Sequence, residues 1–151
     1  MRYGGTLVSV CNIEVSKKFY KEVFGLEVVN DFGANAELSG GISLQTEVTW
    51  GNFIQADKVT VGNDFELFFE EENFDGFVNK LKRFESIRYV HDVLEHSWGQ
   101  RVVRIYDPDG HIIEVGENMK VVIKRFLNSG MTEEETAVRM DVPLEYIKRN
   151  R

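Results

Sequence analysis

The sequence predicts an α+β fold in which a strand–helix–three-strand unit occurs twice and short helices follow. Three observations predict it. Residues 1–116 divide into two halves with the same order of apolar patterns, each built around one helix-like stripe. A final hairpin, Trp98 to Val115, sets runs rich in Val, Ile and Tyr on either side of Asp107-Pro108-Asp109-Gly110. Beyond position 116 the strand patterns stop and helical ones take over.

In the first half a strand is expected over Gly5–Val10 and a helix over Ile13–Phe24. The helix stripe is Ile13, Phe19, Tyr20, Val23 and Phe24, with Lys17, Lys18, Lys21 and Glu22 outward. Asn12 is suited to its N-cap and Gly25 to the residue that ends it. Strands follow near Leu26–Phe32, Asn35–Leu38 and Ile42–Glu47, and residues 48–62 read as a linker punctuated by Gly51 and Gly62. In that linker Trp50, Phe53 and Ile54 suit a cover over a cavity or an interface.

The second half repeats the order. A strand is expected over Phe65–Phe69, then a helix over Phe74–Phe84 with Phe74, Phe77, Val78 and Leu81 as its stripe. Strands follow near Ile87–Leu94, Arg101–Tyr106 and Ile112–Val115. Pro108 fixes φ for the last turn and Gly110 can supply the positive φ that closes it. The run Glu70-Glu71-Glu72 marks a solvated strand end. Three short helices are expected at Met119–Asn128, Thr132–Met140 and Pro143–Arg149, the second opened by a capping box of Thr132 and Glu135.

The chain has 151 residues, 42% hydrophobic, which suits one domain of residues 1–116 with a helical appendage of residues 117–151. One cysteine excludes an internal disulfide and suits a reducing, cytoplasmic location. No signal-peptide pattern or membrane-spanning run is expected. The net charge is −7, and the pI near 5.0 disfavours general nucleic-acid affinity. Residues 1–116 carry a net −8 and residues 117–151 a net +1, so the composition shifts near Glu117.

Two passages resemble the vicinal oxygen chelate superfamily, which includes glyoxalase I, extradiol dioxygenases and fosfomycin and bleomycin resistance proteins. One is Val10-Cys11-Asn12-Ile13-Glu14-Val15-Ser16-Lys17-Lys18-Phe19-Tyr20-Lys21-Glu22-Val23-Phe24-Gly25-Leu26, similar to the family's first strand–helix–strand passage. The other is the hairpin from Trp98-Gly99 through Asp107-Pro108-Asp109-Gly110 to Glu114. The resemblance covers about residues 3–116. It implies two tandem βαβββ units, each with a four-stranded sheet, forming a cupped mixed sheet around a cavity, and a homodimer.

Metal-dependent relatives place four ligands on facing strands, the last a glutamate. Matching by motif gives Gly5, Gln45, Glu66 and Glu114. Gly5 has no side chain, Gln45 offers only a neutral carbonyl oxygen, and two carboxylates remain. Two carboxylates suit a hard ion such as Mg²⁺ or Mn²⁺ better than Zn²⁺ or Fe²⁺, which usually take imidazole. Arg104 stands where extradiol dioxygenases commonly carry a tyrosine. On the fifth strand Phe65, Leu67 and Phe69 read as core, and Asp64, Glu66, Phe68 and Glu70 as cavity-facing. On the seventh Val103 and Ile105 read as core, and Val102, Arg104 and Tyr106 as cavity-facing. If the loop that follows holds an odd number of residues, Arg104 lies beside Glu114 and can neutralise it in place of a metal.

The sequence-based expectation is therefore a small-molecule binder without metal, using Arg104, Trp98, Gln45, Phe68 and Tyr106 with Glu66 and Glu114. No cofactor is expected; a divalent ion (Mn, Mg, Ni, Zn or Fe) held by Glu66 and Glu114 belongs to the alternative. That alternative is a glyoxalase-related lyase, isomerase or dioxygenase with these two glutamates as catalytic groups. A third reading is a ligand-sensing regulator, because Phe126–Leu144 resembles an AraC-type helix-turn-helix. Nucleic-acid binding is disfavoured, since Leu144, Tyr146 and Ile147 take much of the helix that would read bases and Glu133–Glu135 precede it. His91 and His96 read as ordinary strand and loop histidines, His111 as a turn residue, and Cys11 as an inert, at least half-buried thiol.

Overall fold

The structure, a computed structural model, describes residues 4–55, 58–60, 62 and 66–151. Asp64 and Phe65, expected on the fifth strand, and the side chain of Ile54 lie outside the described residues. The chain forms two compact units. One is built from positions up to 64 together with Asp107–His111, the other from positions 65–106 and Ile112–Arg151.

The first unit contains β1 (Thr6–Val10), α1 (Ile13–Phe24), β2 (Val28–Asp31), β3 (Asn35–Leu38), β4 (Ile42–Thr46) and α2 (Glu47–Ile54). Its sheet runs β1-β4-β3-β2, with β1 and β4 parallel and the other pairs antiparallel. α1 begins where Asn12 accepts the N–H groups of Glu14 and Val15, and it ends at Gly25 with φ 71°. Its buried face includes Ile13, Tyr20 and Val23, as the apolar spacing requires. Val8, Val10, Ala36, Leu38 and Leu44 bury the facing side of the sheet. Gly5 admits no side chain: its φ is +143° and a Cβ would stand 2.8 Å from the carbonyl oxygen of Gly41.

α2 corrects the expected linker. β4 stops at Thr46, and the stretch from Glu47 to Ile54 is helical despite Gly51 at its centre. The hydroxyl groups of Thr46 and Thr49 lie 2.7 Å apart across its first turn. Cys11 is also corrected, since it is exposed. Its thiol points at Glu47 (Sγ–Oε2, 3.2 Å), and Asp109 and Glu47 push its pKa up to about 12. Its carboxylate neighbours, more than burial, disfavour the thiolate.

The loop Asp107–His111 is organised by one buried carboxylate. Asp107 Oδ1 accepts the N–H groups of Asp109, Gly110 and His111 at 2.8–3.0 Å. Its Oδ2 accepts the Tyr20 hydroxyl at 3.1 Å and lies 2.8 Å from His111 Nδ1. Burial and the Asp107 charge push the Tyr20 phenol well above its usual range, so the hydroxyl stays a donor.

The second unit contains β5 (Glu66–Glu71), α3 (Phe74–Leu81), β6 (Arg88–Glu95), β7 (Arg101–Tyr106), β8 (Ile112–Glu117), α4 (Met119–Asn128), α5 (Glu133–Met140) and α6 (Leu144–Asn150). Its sheet runs β5-β8-β7-β6 and repeats the mixed pattern of the first. α3 ends three residues before the expected Phe84, and β8 runs past the expected Val115 to Glu117. Val102, expected to face the cavity, lies two residues before Arg104 on β7, on the same face, and is fully buried. Helices α4–α6 pack around Val122, Ile123, Phe126, Ala137, Met140 and Ile147. Among the described residues no helix is long and apolar enough to cross a membrane.

Candidate ligand-binding face

Strand register assembles the candidate site of the second unit. β7 pairs with β8 so that Arg104 stands opposite Glu114, across a connection of five residues, Asp107–His111. β5 pairs in parallel with β8 so that Phe68 stands beside Glu114. Partners in register share a face, and Glu66, two residues before Phe68, shares it too. The condition set by loop parity is therefore met, and Glu66, Phe68, Glu114 and Arg104 lie on one side of the sheet.

Arg104 joins the two carboxylates. Its Nε donates to Glu66 Oε2 at 2.8 Å and its Nη2 to Glu66 Oε1 at 3.5 Å. The same Nη2 forms an ion pair with Glu114 Oε2. The Glu114 side chain is 8% exposed and that of Arg104 is 24% exposed, so water screens this pair weakly. Removing Arg104 would leave Glu114 a buried, unpaired charge, which is costly.

His91 also joins the cluster. His91 Nε2 lies 3.3 Å from Arg104 Nη1. β6 carries irregularities in its pairing with β7 between Tyr89 and His91 and between His91 and Leu94, which bring His91 opposite Arg104. Strict alternation along β6 does not reveal this placement, because each bulge resets the period.

Aromatic groups lie beside the charges. His96 and Trp98 stack with centroids 4.2 Å apart and planes 13° from parallel. Burial, followed by the charges of Arg104 and His91, holds the His96 imidazole below its ordinary pKa. Trp98 Nε1 donates to Gln100 Oε1 at 3.2 Å. Phe68 is 52% exposed and reaches over Gly116, where a Cβ would stand 3.1 Å from its ring. Tyr106 is half-buried, with the Arg88 guanidinium 5.3 Å from its ring centre.

Gln45 belongs to the first unit and is buried there. Its Oε1 accepts from Asn35 Nδ2 at 3.0 Å, and its Nε2 donates to the Ala34 carbonyl at 2.9 Å and to the Thr49 hydroxyl. Its amide is thus taken up by internal partners.

These residues do not fit a metal centre of the kind the motif match suggests. The first matched position is a glycine required by the close approach of Gly41. The carboxylates of Glu66 and Glu114 already share the Arg104 guanidinium. Among the described residues no group of three or more His, Cys, Asp or Glu side chains is disposed to hold an ion.

Residues 3–120 match the family described as "Glyoxalase-like domain". Among solved structures, a protein of unknown function from Agrobacterium tumefaciens str. C58 is 30% identical, with a TM-score of 0.70, 78% of this chain covered and 94% of that one. A glyoxalase/bleomycin resistance protein/dioxygenase family enzyme from Burkholderia phytofirmans PsJN is 16% identical, with a TM-score of 0.67 and coverages of 76% and 96%. Lactoylglutathione lyase from Agrobacterium tumefaciens is 24% identical, with a TM-score of 0.62 and coverages of 78% and 93%. Below 25% identity these likenesses speak for the fold alone. No curated protein matches the chain. The family match ends at residue 120, so it gives no support to the helix-turn-helix resemblance of the tail.

Proposed function

Because the chain belongs to the glyoxalase-like domain family, we propose that it binds a planar aromatic small molecule, without a metal ion, on the face of its second sheet that bears Arg104. The observation that carries this reading is the guanidinium of Arg104 bridging Glu66 and Glu114. In the metal-dependent relatives an ion supplies positive charge to such carboxylates. Here an arginine supplies it, permanently and without a Lewis-acid vacancy. The polar core of the face is then a recognition element: carboxylate and guanidinium edges can orient a ligand's polar substituent. Trp98, stacked on His96, and the exposed ring of Phe68 offer flat apolar surface for its body.

Charge selects among aromatic ligands. Within the Arg104 cluster two carboxylates against one guanidinium leave a net negative charge, which favours a cationic or hydrogen-bond-donating substituent over an anionic one. Calorimetric titration with a matched pair of probes tests this. Naphthylmethylamine is expected to bind at least about tenfold more tightly than naphthoate, a difference of about 1.4 kcal/mol. The preference is expected to disappear in Glu66→Gln. Equal affinity for the two probes, or binding of naphthylmethylamine only when a divalent ion is added, would overturn the reading.

A further inference from the structure

The turn that carries the stacked rings is held from below by the C-terminal helices. Between β6 and β7 the chain reverses over His96–Gln100, with the Gly99 N–H donating to the His96 carbonyl at 2.8 Å and the His96 N–H to the Gln100 carbonyl at 2.9 Å. Two arginines of the tail grip the carbonyls on either side of Trp98. Arg139 Nη1 donates to the carbonyl of Ser97, and Arg125 Nη2 donates to that of Gly99. Both are secured further. Arg139 Nη2 reaches Glu95 Oε1 at 3.3 Å, and Arg125 Nη2 reaches the buried Glu117 at 3.0 Å.

Phe126 fills the space between them. The two guanidinium carbons lie 5.1 and 5.4 Å from its ring centre, and the ring packs so closely on Gly99 that a Cβ there would overlap it. Phe126 also belongs to the apolar cluster that joins α4, α5 and α6. The helices thus form one packed body whose polar and aromatic contacts converge on the residues flanking Trp98. On the opposite side, Gln100 ties Trp98 to the carbonyl of Glu117, where β8 ends one residue before the Asn118 cap of α4.

We propose that helices α4–α6 are a positioning element for the ligand-binding face: Arg139 and Arg125, acting through the carbonyls of Ser97 and Gly99, set the plane of Trp98 and His96 and so set affinity for planar ligands. The proposal rests on the reading of the Arg104 face as a ligand site. It gives the tail, which lies largely beyond the family match, a role in the site without any contact of its own with the ligand. The recognition surface is completed by residues remote in sequence, which alters selectivity while leaving the sheet unchanged.

The test uses the full chain carrying Trp50→Phe, so that Trp98 is the one indole reporter. Protonated imidazole stacked on indole quenches its emission, so a pH scan from about 8 down to about 4, which reaches below the ordinary imidazole range, reads the His96–Trp98 stack. The charged groups bearing on His96 are Arg104, His91 and Glu66 of the sheet. Arg139→Gln removes the contacts of Arg139 with Ser97 and Glu95, while Arg125 keeps its own with Gly99 and Glu95.

In Arg139→Gln, acrylamide quenching of Trp98 is expected to rise about twofold and the pH-dependent amplitude to fall by about half. The affinity for naphthylmethylamine is expected to fall about tenfold, as loss of charge-assisted hydrogen bonds warrants, with little change in melting temperature. Arg139→Lys, which keeps the charge and a donor, is expected to restore most of each signal. Lys148→Gln, at the exposed end of α6, is expected to change none. Unchanged quenching and pH amplitude in Arg139→Gln would overturn the positioning role, as would unchanged affinity in a protein that binds the probe. If the parent protein bound neither probe, the ligand-binding reading would fail on its own, and the quenching and pH amplitude would still decide whether the tail positions Trp98.

Discussion

At Glu117 a carboxylate with 1% of its side chain exposed lies between two arginines, Arg101 Nη2 at 3.0 Å and Arg125 Nη2 at 3.0 Å. Burial opposes its ionisation, but the hydrogen bonds from Arg101 and Arg125 outweigh burial and hold its pKa below the ordinary glutamate value. A lowered folded pKa contributes stability that is present above the unfolded value and is lost as the pH falls through the folded one. Glu117→Gln is therefore expected to cost on the order of 2 kcal/mol at neutral pH, because Arg101 keeps Asp75 and Arg125 keeps Glu95 as partners. The cost is expected to shrink below about pH 4, where the wild-type carboxylate is itself being protonated. Urea unfolding at the two pH values checks both the size and the sign. The residues of the Arg104 cluster differ in how legible they are. Period-two alternation puts Glu66 and Arg104 on the cavity-facing sides of their strands and an odd loop puts Arg104 beside Glu114, but that the strand of Glu66 adjoins that of Glu114 follows only from the family resemblance and the observed pairing. His91 cannot be placed even so far, because bulges in β6 shift its register and no sequence signal marks them. Nor does the sequence indicate that Cys11 lies exposed beside Glu47 and Asp109, since these contacts join residues 36 and 98 positions apart.

Among the elements, the β6–β7 turn is the most constrained. Gly99 has φ +88° and its Cα faces the Phe126 ring. Gly99→Ala combines a left-handed backbone position with an overlap in a packed cluster, and is expected to destabilise the protein by about 2–4 kcal/mol. Phe126→Leu in that background should recover part of the loss by relieving the overlap, and thermal unfolding of the pair tests this. Trp98-Gly99 is readable as the start of the final hairpin, but the tail packed beneath it is not, because that contact joins residues 26 to 42 positions apart. α2 carries little sequence signal for a local reason. Gly51 interrupts its stripe and Trp50 and Phe53 suggest an aromatic cover, so helical periodicity is weak, and the helix begins directly at the end of β4. The elements with strong signals, α1 with its Asn12 cap and Gly25 end and α5 with its capping box, have the boundaries or caps that their residues specify.

At the scale of the molecule, a duplicated βαβββ order generates two sheets of the same topology, β1-β4-β3-β2 and β5-β8-β7-β6. This level was the most legible, because each half repeats the same succession of apolar periods and the Asp-Pro-Asp-Gly hairpin is rich in mechanism. Ligand identity was the least legible, because it depends on which side chains converge and not on the order of elements. The central claim is that Arg104 stands in place of a metal ion between Glu66 and Glu114. Calorimetric titration of Mn²⁺ into the wild-type protein and into Arg104→Ala tests it most directly. Wild type is expected to show no specific binding, whereas Arg104→Ala, with two freed carboxylates, gains at least about tenfold in Mn²⁺ affinity and is stabilised by the ion. Stoichiometric Mn²⁺ binding by the wild type, lost in Glu114→Ala, would contradict the account.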